Sequence, residues 1–275
     1  MADLKLFNQT ITNVKTQEYL ESVLGEKKQA FVNNLTALVS NDKGLQACEP
    51  TTLMFAALKA TALDLPLDNN LGFAYVIPFK DNKLGKTVAT FMCGYKGITQ
   101  LAIRSGQFKT INVTDVREGE LAGRNRMTGE LDFNWIEDDA ARCKLPIIGY
   151  VGYFKLLSGY SKTTYWSVEE LKQHGVKYSQ SFKKGYGVWA DNFDQMCRKT
   201  VVKLMLNKGD APMSVEMQQA IKYDQSVILD EAGSHRYIDN QRPSAGDVAA
   251  LAAEVEQQVE EVDAEEVPTD LFPEQ

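Results

Sequence analysis

The chain has 275 residues, 44% of them hydrophobic, and carries a net charge of -7 at pH 7. That length allows one large domain or one domain plus an appendage, and that composition can bury a substantial core. It holds no apolar run of 18 residues, and MADLKLFNQT lacks the layout of a signal peptide, so a cytoplasmic protein with no membrane partner is expected.

Taken in order, residues 1–15 show little periodicity and read as an arm. Thr16 is placed to cap TQEYLESVL, a helix ending at Gly25, and Lys27 to Ser40 reads as a second helix. Pro50 suits a first helical position, and the small residues of PTTLMFAALKATALDL suggest close packing up to Pro66. The period then changes. GFAYVIPF (72–79) and Thr87 to Cys93 read as strands joined by a polar turn, a hairpin.

GYKGITQLAIRSG (94–106) follows as a helix closed by Gly106. Ile98, Leu101 and Ala102 form its apolar face. Lys96, Gln100 and Arg104 recur every fourth residue on another face, a stripe about 12 Å long. On pattern alone this is an ordinary amphipathic helix with a solvated basic face. Phe108 to Val116, Leu131 to Ile136, Ile147 to Leu157 and Thr163 to Trp166 read as further strands, with 117–129 a loop or extended hairpin.

Ser167 and Glu170 match a capping box opening a short helix. A basic loop, Lys172 to Gly187, precedes a helix from Trp189 to Asn207. That helix has Phe193, Met196, Cys197, Val201, Leu204 and Met205 as its apolar stripe. Gln195, Lys199 and Lys203 stand on the other side, beside Arg198. Pro212 and the polar run near Asp224 close the compact part, giving a core over 1–225 and an acidic linker and tail over 226–275. Within the tail, DVAALAAEVEQQVEEV is a good helix former, read either as a solvated acidic segment or as a helix that docks on a partner.

Charge is unevenly divided. Residues 226–275 hold 13 acidic residues and 2 arginines, and the remainder holds 24 acidic and 28 basic residues. A mildly basic body therefore sits behind an acidic tail. Segments 80–117 and 172–208 carry half of all Lys and Arg, the first against Asp81 and Asp115 alone, the second against Asp191 and Asp194 alone. Lining one groove, they would neutralise several phosphates. Tyr95, Tyr178, Phe182, Tyr186 and Trp189 nearby would either stack on bases or pack the walls.

Covalent chemistry finds little support. His174 and His235 lie near no nucleophile motif, and a histidine in a basic loop reads as a solvent or weak phosphate contact. Cys48, Cys93, Cys143 and Cys197 are far apart in apolar contexts and read as reduced core thiols, with no metal-ligand spacing. Gly85-Lys86-Thr87 mimics the end of a phosphate loop, but the required earlier glycine is Lys80.

LGFAYVIPF, GYKGITQLAIRSGQF and VREGE, in this order and spacing, resemble the RecT family of bacteriophage single-strand annealing proteins. So do Trp189, Met196, Lys199 and Thr200 in WADNFDQMCRKTVVKL. The likeness spans roughly residues 50 to 220. It implies an α+β fold, with N-terminal helices packed on a curved antiparallel β-sheet, a following basic helix and a flexible acidic C-terminal region. It implies ATP-independent binding of single-stranded DNA and annealing of complementary strands, with a duplex intermediate, in rings or helical filaments. The partners it implies are a phage 5′→3′ exonuclease and the host single-stranded DNA-binding protein. No cofactor is expected, with Mg2+ modulating DNA binding, and no enzymatic step.

Carried over by position, Lys96, Arg104, Arg198, Lys199, Thr200 and Lys203 are the leading DNA contacts. Tyr95 joins them, and Gly94 and Gly97 would let the backbone approach a phosphate. Arg117 is a further candidate, although Glu118 and Glu120 beside it make an ion pair an equal reading. Lys183 and Lys184 complete the set. A passive single-strand binder and a structural or adaptor protein with incidental charge stand as alternatives.

Overall fold

The computed structural model describes residues 2–81, 85–125, 127–207 and 209–237. The chain begins with α1 (Ala2–Ile11), α2 (Val14–Leu24) and α3 (Lys28–Ser40). The stretch expected to be an arm is thus helical. Phe7 and Ile11 stand four residues apart and are both buried, so one face of α1 is tied into the core. Asn13, not Thr16, caps α2, its side chain accepting from the Lys15 N–H. After α4 (Lys43–Gln46) comes α5 (Pro50–Ala62), with proline in its first turn. Ala56, Ala57 and Ala60 are wholly buried, which lets α5 lie close against the first hairpin.

That hairpin is β1 (Ala74–Asp81) and β2 (Lys86–Cys93), antiparallel from Ala74↔Cys93 to Asp81↔Lys86. Then follow α6 (Tyr95–Arg104) and β3 (Phe108–Arg117). A small hairpin, β4 (Leu121–Arg124) with β5 (Leu131–Phe133), leads to α7 (Asp139–Arg142). The long strands β6 (Ile147–Leu156) and β7 (Ser161–Ser167) run into α8 (Val168–Tyr178), whose capping box is formed by Ser167 and Glu170. The rest comprises α9 (Gln180–Lys183), α10 (Val188–Asp191), α11 (Phe193–Asn207), α12 (Val215–Tyr223), β8 (Ser226–Ile228) and β9 (His235–Tyr237).

The fold is α+β, as expected. The described strands divide into three antiparallel sheets: β1-β2-β8-β9, β3-β6-β7 and β4-β5. The boundary expected at 226 falls inside this structure. Ser226 pairs with Phe91 of β2, and the compact unit extends over Met1–Asn240. Val227 and Ile228 are buried, an apolar strand that composition averaged over an acidic tail conceals. The expected tail helix over 247–262 lies outside the described residues.

α11 is the central helix. It packs on β3, β6 and β7 and also on α6 and α8. At Gly152 a Cβ would come within 2.9 Å of Met205 Sδ and 3.0 Å of Val201, so glycine is what allows α11 to lie on β6. Of the expected stripe Met196, Cys197, Val201 and Met205 are buried and Phe193 and Leu204 half-buried; Val202, Leu206, Lys199 and Thr200 are buried too, because partners surround the helix. Cys48, Cys93 and Cys197 are buried thiols as expected, but Cys143 is exposed after α7.

Candidate nucleic-acid interface

α6 starts at Gly94, which offers no side-chain cap, so the first-turn N–H groups lack intrahelical partners. Lys96 stands exposed in that turn and, among the described residues, has no ion pair. Tyr95 is half-buried. Gly97 serves packing rather than a phosphate: a Cβ there would lie 2.1 Å from the Phe73 carbonyl oxygen. At Gly94 it would lie 2.1 Å from that of Gly72. The glycines let α6 cross the strand entrance, which corrects the expectation of close phosphate approach.

Arg104 ends the same helix but is engaged. It donates to the Leu63 carbonyl at 2.9 Å and to the Asp64 carboxylate at 3.2 Å, closing the C-terminus of α5. Its side chain stays partly exposed, at 37%.

The cations of α11 turn inward. Lys199 donates to Asp224 Oδ1 at 2.7 Å and Lys203 to Asp224 Oδ2 at 2.6 Å. The Cys93 N–H completes the carboxylate at 3.1 Å. Asp224 and Lys199 are almost wholly enclosed, and Lys203 keeps 28% of its side chain exposed. Burial pushes Asp224 up, but the two ammonium groups outweigh it and hold the carboxyl below its usual range. Lys199 is therefore a buried ion-pair partner rather than the surface phosphate contact expected for it. Thr200, 6% exposed, is likewise inside.

Arg198 and Arg117 belong to a second network. Asp115 accepts from Arg117 at 2.7 Å and Arg198 at 3.0 Å, with Arg142 at 3.3 Å. Arg198 also binds Asp194 at 2.9 Å and the Val113 carbonyl at 3.1 Å, and lies over the Tyr150 ring. Glu120, 0% exposed, accepts from Arg142 at 2.6 Å and from the Arg117 N–H at 2.7 Å. Burial pushes both carboxyls up, and hydrogen bonds from the guanidinium groups bring them below their usual ranges. This network ties β3, α7, α11 and the base of the β4-β5 hairpin together. The ion-pair reading of Arg117 holds, with Asp115 as its carboxylate partner. Arg198 is likewise structural, contrary to expectation.

Exposed charge gathers on α8 and α9. Lys172, Lys177, Lys183 and Lys184 all face solvent, with Tyr178 at 38% and Tyr186 at 55% exposure beside them. Trp189 is buried and meets Phe182 and Phe193 in tilted ring contacts, so these rings pack the wall. His174, expected as a solvent or phosphate contact, sits among Trp166, Tyr178 and Trp189. Burial, helped by Lys203 and Lys177, pushes its imidazole down to about 4, so it is neutral at pH 7. Among the described residues no cluster of potential metal ligands occurs, and no helix is long and apolar enough to cross a membrane.

Asp224 and Asp115 are the organising residues that sequence reasoning did not single out. Each was one acid among many cations, and only the fold shows that the cations converge on it.

These features define an α+β protein with two internal ion-pair networks and a separate exposed basic surface. Its class is given by comparison: residues 29–240 match the RecT family, from within α3 to beyond β9. The chain is 38% identical over 228 residues to the uncharacterized protein YqaK of Bacillus subtilis (strain 168), covering 80% of this chain and 74% of that one. It is 28% identical over 222 residues to protein RecT of Escherichia coli (strain K12), covering 77% and 80%. The chain belongs to the RecT family.

Proposed function

We propose that the chain binds single-stranded DNA without sequence preference and anneals complementary strands without ATP, in phage homologous recombination. The observation that carries this is the family match over 29–240, which includes every exposed cation of α6, α8 and α9. An annealing protein must hold the sugar-phosphate backbone and leave the base edges free. Lysines free of carboxylates suit that task, since each contacted phosphate releases counterions.

The proposed contacts are Lys96 and Tyr95 at the start of α6, the exposed part of Lys203, and Lys183 and Lys184 at the end of α9. Arg104 reaches a phosphate from its exposed side while capping α5. The chain works as a homo-oligomer, a ring or helical filament, in the cytoplasm of a bacterial host. It acts with a phage 5′→3′ exonuclease and the host single-stranded DNA-binding protein. No cofactor takes part, and Mg2+ modulates binding.

Mixing the full chain with complementary oligonucleotides in the absence of nucleotide tests the reading. Duplex should form faster than in buffer, with affinity falling as salt rises. Binding without acceleration would leave a passive single-strand binder. Salt-independent behaviour would leave a structural or adaptor protein.

A further inference from the structure

The β3-β6-β7 sheet carries α8 and α11 on one face, the face toward which Gly152 points. Side chains alternate along a strand, so Tyr153 and Lys155 point from the other face. The register sets Asn112 and Thr163 on either side of Tyr153, and Thr110 and Ser161 on either side of Lys155. Two cross-strand rows result, about 6.8 Å apart along the strands. Thr110, Asn112 and Ser161 are exposed, and Tyr153, Lys155 and Thr163 are half-exposed. Among the described residues, none of these six side chains makes an ion pair or hydrogen bond within the chain.

The three strands themselves bring no acid to this face. Asp115 is the one carboxylate on the three strands, and it is enclosed beneath Arg198 on the helix side. At its far end the face is closed, where the Tyr165 ring lies over Gly149 and Val116 is 0% exposed. What stays open is a patch of hydroxyl, amide and ammonium donors around one tyrosine ring. Protein-protein interfaces are depleted in lysine and serine, whereas phosphates and sugars are held by hydroxyl, amide and lysine donors.

We propose that this open face is a second surface for single-stranded DNA, with Lys155 and the flanking hydroxyl and amide groups on the backbone and Tyr153 stacking on a base. It rests on the proposed function and extends it: a chain with two strand-binding surfaces has a place for each of the strands it pairs.

The test uses the full chain and a fluorescein-labelled oligothymidylate. Tyr153→Ala should weaken binding about tenfold, as loss of one base stack does. Lys155→Glu should flatten the log-log salt dependence by about 0.7. In the unaltered protein, the oligonucleotide should protect Lys155 from acetylation. Wild-type affinity and slope in both variants, or equal acetylation of Lys155 with and without DNA, would overturn the inference. A change in assembly size at unchanged affinity would also overturn it, making the occupant a second copy of the chain. Lys96→Glu run in parallel separates the two readings. If it alone weakens binding, the sheet inference fails and the proposed function stands; if the unaltered chain binds no DNA, both fail.

Discussion

α9 and α11 carry the same residue types and meet opposite fates. Lys183 on α9 and Lys184 directly after it face solvent, whereas on α11 Lys199 is buried and paired with Asp224 and Arg198 is half-buried and paired with Asp115. α9 lies on the surface, and α11 is surrounded by a sheet and two helices. A buried cation must find a carboxylate, since leaving water uncompensated costs several kcal/mol. A cation's helical spacing therefore says less about its role than the count of elements around its helix.

The comparison breaks most visibly at Asp224. Asp224→Ala leaves Lys199 buried without its partner and should cost about 3–5 kcal/mol, read from the urea midpoint. A wild-type midpoint would mean that the carboxylate is dispensable. Glu120→Ala should cost somewhat less, about 3 kcal/mol, because Arg142 keeps its bond to Asp115.

The pH dependence sharpens the same contrast. His174 is depressed to about 4, so between pH 6.5 and 4 the unfolded chain takes up a proton that the folded chain refuses. Stability then rises with pH across that window and is lost on acidification. His174→Phe should flatten this limb in pH-dependent urea melts. The depressed carboxyls of Asp224, Asp115 and Glu120 act lower: their stabilisation is present above the unfolded values near 4 and lost as pH falls through the folded ones.

The smallest effect on stability belongs to the surface. The double variant Lys183→Glu with Lys184→Glu should melt within about 0.5 kcal/mol of the parent while binding DNA less tightly.

Much of the fold was legible. Strand character marked β1, β2, β3 and β6, the Ser167 to Glu170 spacing marked the start of α8, and Pro50 marked α5. α1 was not legible, because its anchor is a short apolar face, the buried pair Phe7 and Ile11 with Leu4 packed beside the core. β8 and β9 were masked by an acidic neighbourhood. The site was less legible, because pairing across the chain is invisible to local pattern. Asp224 is 25 residues from Lys199, and Asp115 is 83 from Arg198. The glycines of α6 gave a misleading signal, since close approach to a phosphate and close approach to a strand require the same missing Cβ.

We propose that exposed cations grip DNA while Lys199 and Arg198, turned inward onto Asp224 and Asp115, hold the fold. The most direct measurement is the salt dependence of oligothymidylate affinity for the Lys96→Glu, Lys183→Glu, Lys184→Glu triple variant. The log-log slope should be shallower by about 0.7 for each lost phosphate contact, with an unchanged urea midpoint. A slope equal to that of the unaltered chain would contradict it.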